Sequence, residues 1–204
     1  NIAGGSWDRS NVGMYFDAEW EATEDLLLGA AMRYEDYSDF GTTTNGKIAG
    51  NYRITENFGL RATASTGFKA PTPGQSNAYN VSTEFDFVLN DLVNNGTIPS
   101  DSAVAALRGG KPLEPEDSTN MTFGVFFNVG GLDVTVDYFN IDVDNRLNLS
   151  QNYQLTQQEI DDLIAEGVTS AGNLQNFRFF TNDFNTTTEG IDIVATYPID
   201  WAAG

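Results

Sequence analysis

Apolar and polar side chains alternate along seven segments of the chain. In residues 13–22, Phe16 and Trp20 occupy one set of alternate positions, and Asp17 and Glu19 occupy the other. The same pattern recurs in residues 26–37, 46–54, 59–68, 121–129, 132–139 and 190–197. Successive side chains of a β-strand point to opposite faces, so the pattern predicts seven strands, each with one apolar and one polar face.

Two all-β architectures share this alternation, a soluble sandwich and a membrane β-barrel. The segments are about nine to twelve residues long, close to the roughly 9–11 that a tilted membrane strand needs and longer than the usual soluble strand of about 5–6. Tight turns alternate with long connections at 35–45, 69–117 and 144–188. Short turns on one rim and long loops on the other are typical of bacterial outer-membrane barrels, so the pattern favours the barrel.

The barrel interpretation predicts the direction of individual side chains. A charge that faces mid-bilayer lipid costs about 2–4 kcal/mol for Arg or Lys, so charged positions should face the lumen. The side chains expected to face lipid are Phe16, Trp20, Met32, Ile48, Tyr52, Phe123, Phe127, Val134 and Ile193. Those expected to face the lumen are Asp17, Glu19, Arg33, Lys47, Arg53, Arg61, Asp133 and Asp137.

Five stretches resemble successive landmarks of the TonB-dependent outer-membrane receptors: "RYEDYSDFG", "LRATASTGFKAP", "LEPEDSTNMTFGV", "VDYFNIDVDNRL" and "TEGIDIVATY". The resemblance implies an antiparallel transmembrane β-barrel of 22 strands around an N-terminal plug, in the outer membrane of a Gram-negative bacterium. Residues 1–204 are then expected to be a partial barrel, with the plug and the final strands absent. Such a segment should form an open sheet whose first and last strands lack partners.

The same resemblance implies a transport function. The receptor is expected to bind a scarce nutrient of the iron-siderophore, cobalamin or carbohydrate type and to import it with TonB energy. The implied partners are the TonB complex through the absent plug, outer-membrane lipid and lipopolysaccharide, and the small-molecule nutrient. The substrate-binding residues are unknown, because the family's ligand contacts lie on variable loops and on the plug.

Charge and composition argue against several classes of function and site. The chain has 10 basic and 29 acidic residues, a formal charge of −19, and neither Cys nor His. Nucleic-acid binding through a basic surface is therefore not expected, and zinc fingers, iron–sulfur ligation, thiol nucleophiles and imidazole bases are excluded, while hard-cation sites built from carboxylates stay open. We expect no enzyme activity, no cofactor and no metal site. Asp142 and Asp144 are two residues apart but lack the Gly and distal Glu of an EF-hand loop, so turn and strand-end roles are favoured over a calcium site.

The two longest connections carry the remaining predictions. Residues 70–117 and 144–189 each hold seven acids and two bases. Their acidity favours a solvated surface, but an alternative is a secreted or surface-exposed adhesive β protein with acidic cation-binding loops. In "LTQQEIDDLIAEG", Thr156 and Glu159 form a capping box and Gly167 is a stop signal, which predicts a short loop helix. Residues 85–93 and 102–110 are expected to form other short elements.

Overall fold

A computed structural model describes residues 5–86 and 90–199 of the chain, so Phe87, Val88 and Leu89 of the predicted element at 85–93 lie outside the described residues. Most of the described chain is β-structure. The strands are β1 Asn11–Thr23, β2 Leu26–Tyr37, β3 Gly41–Thr55, β4 Phe58–Lys69, β5 Asn80–Asp86, β6 Asp91–Thr97, β7 Glu116–Val129, β8 Leu132–Leu149, β9 Tyr153–Gln154, β10 Asn176–Arg178 and β11 Phe180–Thr196.

Seven long strands form one sheet in the order β1-β2-β3-β4-β7-β8-β11. They contain the seven predicted segments apart from Tyr197, and the pairs β1–β2, β2–β3, β3–β4 and β7–β8 are antiparallel. Within the described residues, β1 and β11 each have a neighbour on one side only, so the sheet does not close on itself. The predicted open sheet with two unpaired outer strands is therefore confirmed.

The registers divide the side chains between two faces as the alternation predicts. Phe16 pairs with Met32, while the next residue, Asp17, pairs with Ala31. Ala31 in turn pairs with Lys47, so charged positions of β1 and β3 share one face of the sheet. On the other face Phe16 is 66%, Met32 55% and Ile48 65% exposed. The sheet therefore has one exposed apolar face and one polar face.

The prediction of a long connection at 35–45 is wrong. β2 continues to Tyr37 and β3 begins at Gly41, so only three residues connect them. Gly41 has a φ of +90°, a conformation that few residues other than glycine adopt. The polar residues on both sides of the turn pair in register, down to Tyr37 opposite Gly41. These polar residues therefore belong to paired strand ends and not to a loop.

The other two long connections contain secondary structure of their own. β5, β6, β10 and β9 form a second sheet in that order, in which β6 and β10 are parallel. The helices are α1 Pro73–Ser76, α2 Ala103–Ala106 and α3 Gln157–Ala165, followed by a 3₁₀ turn at Thr169–Asn173. Helix α3 confirms the predicted loop helix, and Gly167 beyond it has a φ of +93°. None of the helices in the described residues is long and apolar enough to cross a membrane.

Candidate functional site

The two long connections fold together into one compact unit, which we call the loop unit. It comprises residues 5–9, 70–86, 90–116 and 145–184. The parallel pair of β6 and β10 joins the two connections directly, with Asn95 opposite Asn176 and Gly96 opposite Phe177. In a further backbone hydrogen bond, Ile98 N donates to the Arg178 carbonyl at 3.0 Å. The connections are therefore two halves of one folded body.

Side chains from both connections form the core of the loop unit. The buried members are Ile98, Val104 and Ala105 from the first connection, and Leu163, Ala171, Leu174, Phe177 and Phe179 from the second. The rings of Tyr153 and Phe179 stack with centroids 5.8 Å apart. A Cβ at Gly96 would overlap the side chain of Leu174, so this strand position needs glycine. Because neither half buries these residues alone, each half depends on the other.

An ion pair also joins the two halves. Arg108 Nη1 donates to Glu159 Oε1 at 2.8 Å, and Arg108 Nη2 donates to Glu159 Oε2 at 3.1 Å. Arg108 Nη2 also donates to the Gln154 carbonyl at 2.9 Å. Glu159 completes the capping box of α3, because its carboxylate accepts from the backbone N–H of Thr156 at 2.8 Å. The Arg108 guanidinium and the Thr156 N–H together lower the pKa of Glu159 to about 2, and the pair with Glu159 raises the pKa of Arg108.

Asn182 joins three segments of the loop unit. Its Oδ1 accepts from Glu114 N at 2.9 Å, and its Nδ2 donates to the carbonyls of Glu114 and Asn145 at 2.9 and 2.7 Å. Asn145 has a φ of +54°, an uncommon conformation for a residue other than glycine. Glu116, a buried carboxylate, accepts from Leu147 N at 2.9 Å. Glu116 is therefore a buried strand residue, although its sequence context suggests a turn.

An open groove of about 400 Å³ lies on the loop unit. Its lining combines amide and carboxylate side chains with leucines: Asp91, Leu92, Gln154, Leu155, Gln175 and Asn176. The Gln175 carboxamide is fixed, since its Oε1 accepts from Asn94 N at 2.6 Å. Such a lining offers hydrogen-bond partners and apolar contact to a small molecule at once.

The polar face of the large sheet carries fixed charges. Arg61 forms a two-point ion pair with Asp137, in which Nε donates to Oδ1 at 2.7 Å. Gly124 lies between them, and a Cβ there would overlap the Asp137 carboxylate. Beside the short turn between β7 and β8, Asn128 Nδ2 donates to Asp133 Oδ1 at 2.7 Å. The charges predicted to share this face therefore do so, and some of them are locked in place.

The residues weighed as metal ligands have structural roles. Asp142 and Asp144 both lie within β8, where Asp142 Oδ1 accepts from Thr187 Oγ1 at 2.6 Å and Asp144 lies opposite Asp117. Across residues 5–86 and 90–199, no three acidic side chains converge in an arrangement that could hold a metal ion. Sequence reasoning missed Arg108 and Asn182, because both act on partners more than 35 residues away along the chain.

Long two-faced strands with an exposed apolar face and a charged polar face define the wall of a membrane β-barrel. The model of the family described as TonB dependent receptor-like, beta-barrel, matches residues 2–203. The chain belongs to this family. Its apolar face is accordingly the lipid side of the wall, and its polar face is the lumen side.

The chain is also similar to individual proteins in sequence and in structure. The ferric enterobactin receptor PirA of Pseudomonas aeruginosa is 25% identical over 179 residues, which is 88% of this chain and 21% of the relative. The vitamin B12 transporter BtuB of Vibrio cholerae is 36% identical over 67 residues, 32% of this chain and 10% of the relative. The crystal structure of PirA from Pseudomonas aeruginosa superposes with a TM-score of 0.68 at 20% identity, covering 94% of this chain and 32% of that one. The chain thus spans about a fifth of the curated PirA relative and about a third of the crystallised PirA chain.

Proposed function

We propose that the chain is part of the barrel of an outer-membrane receptor that captures a scarce nutrient at the cell surface and imports it with energy from TonB. The relatives are named for ferric enterobactin and vitamin B12, and both names support a small-molecule nutrient. In this proposal residues 1–204 are a partial barrel, and the plug and the final strands belong to the remainder of the receptor. Its partners are the TonB complex, the nutrient, and the lipid and lipopolysaccharide of the outer membrane of a Gram-negative bacterium.

The ordered loop unit is the observation that carries this proposal. Two neighbouring strands need only a few residues to connect them, as the three residues between β2 and β3 demonstrate. Residues 70–116 and 145–184 instead share a core and an ion pair. Long ordered loops on a rigid scaffold are usually functional. The unit accordingly supplies nutrient capture, while the long strands supply the wall. These properties favour a receptor over an adhesive protein with solvated acidic loops.

Capture is tested by removing the loop unit from the full-length receptor. Short Gly-Ser linkers replace residues 76–110 and 151–177 together, because removal of one half alone would expose the core side chains of the other. Whole cells are then assayed for binding and uptake of ferric enterobactin and of cyanocobalamin. We expect a barrel that still inserts, seen as heat-modifiable mobility on a gel, but binds its nutrient at least about tenfold more weakly. Unchanged affinity and uptake in a correctly inserted variant would contradict capture by this unit.

The energy requirement is tested separately in the intact receptor. A protonophore collapses the proton-motive force without changing the receptor. If TonB drives import, the protonophore and a TonB deletion should each stop uptake while leaving surface binding unchanged. Uptake that continues under both treatments would show that the nutrient crosses passively.

A further inference from the structure

An open groove lies on the apolar face of the large sheet. Its volume is about 730 Å³, within the range of roughly 300–1,000 Å³ for small-molecule sites. Gly50, Ala62 and Ala64 have short side chains and form its floor, and the larger side chains around them include Ile48 and Tyr138. Gly50 pairs with Ala62 and Ile48 pairs with Ala64, so the floor is built by adjacent positions of β3 and β4. We call this depression the wall groove.

The wall groove belongs to the lipid side of the barrel. Around it Ile48 is 65%, Met121 56% and Phe123 53% exposed. Among the described residues, no charged side chain lines it. Hydrocarbon is the solvent at such a face. The occupant that fits an apolar groove in this position is therefore an acyl chain.

Two carboxylates lie beside the wall groove on the same face. Tyr138, which lines the groove, donates from its hydroxyl to Glu189 Oε2 at 3.0 Å. Thr187 Oγ1, two residues before Glu189 in β11, donates to Asp142 Oδ1 at 2.6 Å. Alternation places Tyr138 and Asp142 on one face of β8, and Thr187 and Glu189 on one face of β11. The two hydroxyls thus fix two acids about 7 Å apart along the strands.

The protein supplies no cation to balance these two charges. Asp142 and Glu189 accept hydrogen bonds from neutral hydroxyls and form no ion pair within the described residues. Strands β7 and β11 contain no basic residue, and Arg146 of β8 is four positions beyond Asp142, with its guanidinium 5.8 Å from the centroid of the Phe184 ring. Each carboxylate uses one oxygen for its hydroxyl partner, so the other oxygen can accept from a ligand. Such a pair attracts an ammonium group and repels a phosphate.

We propose that the wall groove and these two carboxylates form a site for a phospholipid with two acyl chains and a primary ammonium in its headgroup. The chains lie in the groove, and the ammonium donates to Glu189 and Asp142. The volume suits two chains better than the larger set of chains in lipid A. The site is on the face opposite the lumen, so it depends on the outer-membrane location and not on the import of a nutrient.

Native mass spectrometry of the purified full-length receptor tests the headgroup preference. The delipidated receptor is titrated with phosphatidylethanolamine, phosphatidylcholine and phosphatidylglycerol that carry identical chains. We expect phosphatidylethanolamine to bind at least about fivefold more tightly than phosphatidylglycerol, which corresponds to the upper end for one exposed ion pair. Asp142→Asn/Glu189→Gln should abolish this preference. Asp36→Asn is the control, because it removes an acid from the same face, opposite Val12, and should retain the preference.

A second pair of variants tests the wall groove itself. Ala62→Phe fills the floor and should weaken binding of all three phospholipids at least about fivefold, the effect of losing about 40 Å² of apolar contact. Ala18→Phe adds the same ring to the same face, opposite Ala30 and outside the groove, and should bind as the wild type does. Heat-modifiable mobility on a gel verifies that each variant is folded.

Four results would overturn the site. They are equal affinity of the wild type for the three phospholipids, unchanged binding to Ala62→Phe, displacement of phosphatidylethanolamine by an equal concentration of lipid A, and tighter binding of phosphatidylglycerol when Mg²⁺ is added. The last result would assign the two carboxylates to a divalent cation. Lipid binding is measured without nutrient, so a receptor that binds the phospholipid but imports nothing would refute the proposed import and leave this site intact.

Discussion

Arg108 and Glu159 form a two-point ion pair, with N–O distances of 2.8 and 3.1 Å, between two connections that are 51 residues apart in the chain. The same Glu159 carboxylate caps helix α3 through the backbone N–H of Thr156. One acidic side chain therefore holds a helix start and the contact between the halves of the loop unit. This double role makes Glu159 a more important residue than its position on an exposed helix indicates.

Replacement of Glu159 by Gln should loosen both halves of the loop unit. The variant keeps a hydrogen-bonding side chain of the same shape but removes the charge that pairs with Arg108. We expect faster cleavage by thermolysin in both 70–116 and 145–184 on intact cells. Glu166→Gln is the matched control, because it removes the same charge at the other end of α3 from a side chain that forms no ion pair within the described residues. Equal protection of the two variants would contradict a role for the ion pair.

The loop unit should also lose stability in acid through the same residue. The pKa of Glu159 is about 2 in the folded unit and 4.5 at its ordinary value, so the charged form is favoured by folding. Its contribution is fully present above about pH 4.5 and is lost as the pH falls towards 2. Pepsin cleavage measured between pH 4.5 and 2 should rise steeply in the wild type and less steeply in Glu159→Gln. Parallel pH profiles would show that other groups cause the acid sensitivity.

Leu174→Ala should destabilise the loop unit by about 2–5 kcal/mol, since it leaves a cavity in a core that both halves share. Leu174 is 1% exposed, whereas Leu92 in the same unit is 58% exposed. Leu92→Ala is therefore a matched control with an expected effect within about 0.5 kcal/mol. Hydrogen exchange of the full-length receptor should show lost protection in both halves for Leu174→Ala alone. Loss confined to 145–184 would mean that the halves fold independently.

The difference between α3 and the small sheet explains which parts of the loop unit the sequence predicts. Helix α3 follows from Thr156, Glu159 and Gly167, which lie within 12 residues and act on their own backbone. The small sheet depends on Asn95 opposite Asn176, a pairing across 81 residues. Its strands are short and rich in Asn, Ser and Thr, so they lack the alternation that identified the seven long strands. Non-local pairing of this kind leaves no pattern in a single segment.

The features of the polar face and of the groove also differ in whether the sequence predicts them. The lumen position of Lys47 and Arg53 follows from alternation alone and was predicted. The ion pair of Arg61 with Asp137 depends on β4, β7 and β8 lying side by side, which the sequence does not specify. The groove beside Gln175 likewise requires β6, β9 and β10 to come together. Faces of strands were therefore predictable, while convergent sites were not.

Gly124→Ala should displace the ion pair between Arg61 and Asp137. The added Cβ would overlap the Asp137 carboxylate, and overpacking of this kind costs about 1–3 kcal/mol. Gly29→Ala is the matched control on the same polar face, where the nearest atom to the new Cβ is the Ala49 Cβ at an ordinary 3.8 Å. Urea unfolding of the full-length barrel, followed by gel mobility, should show a loss for Gly124→Ala alone. The loss should disappear when Asp137→Ala is added, and a loss that persists in the double variant would assign it to the strand itself.

Ile48→Arg should impair insertion of the barrel, while Ala49→Arg should not. The two residues are neighbours in β3 and face opposite sides of the sheet, with Ile48 opposite Ala64 and Ala49 opposite Thr63. Ile48 is 65% exposed on the apolar face. An Arg that faces lipid near the midplane costs about 2–4 kcal/mol, whereas an Arg that faces the lumen remains hydrated. The measurement is the fraction of full-length receptor with heat-modifiable mobility in outer-membrane preparations, compared at equal expression. Equal insertion of the two variants would show that the apolar face does not meet lipid at this depth, and greater loss for Ala49→Arg would reverse the assignment of the two faces.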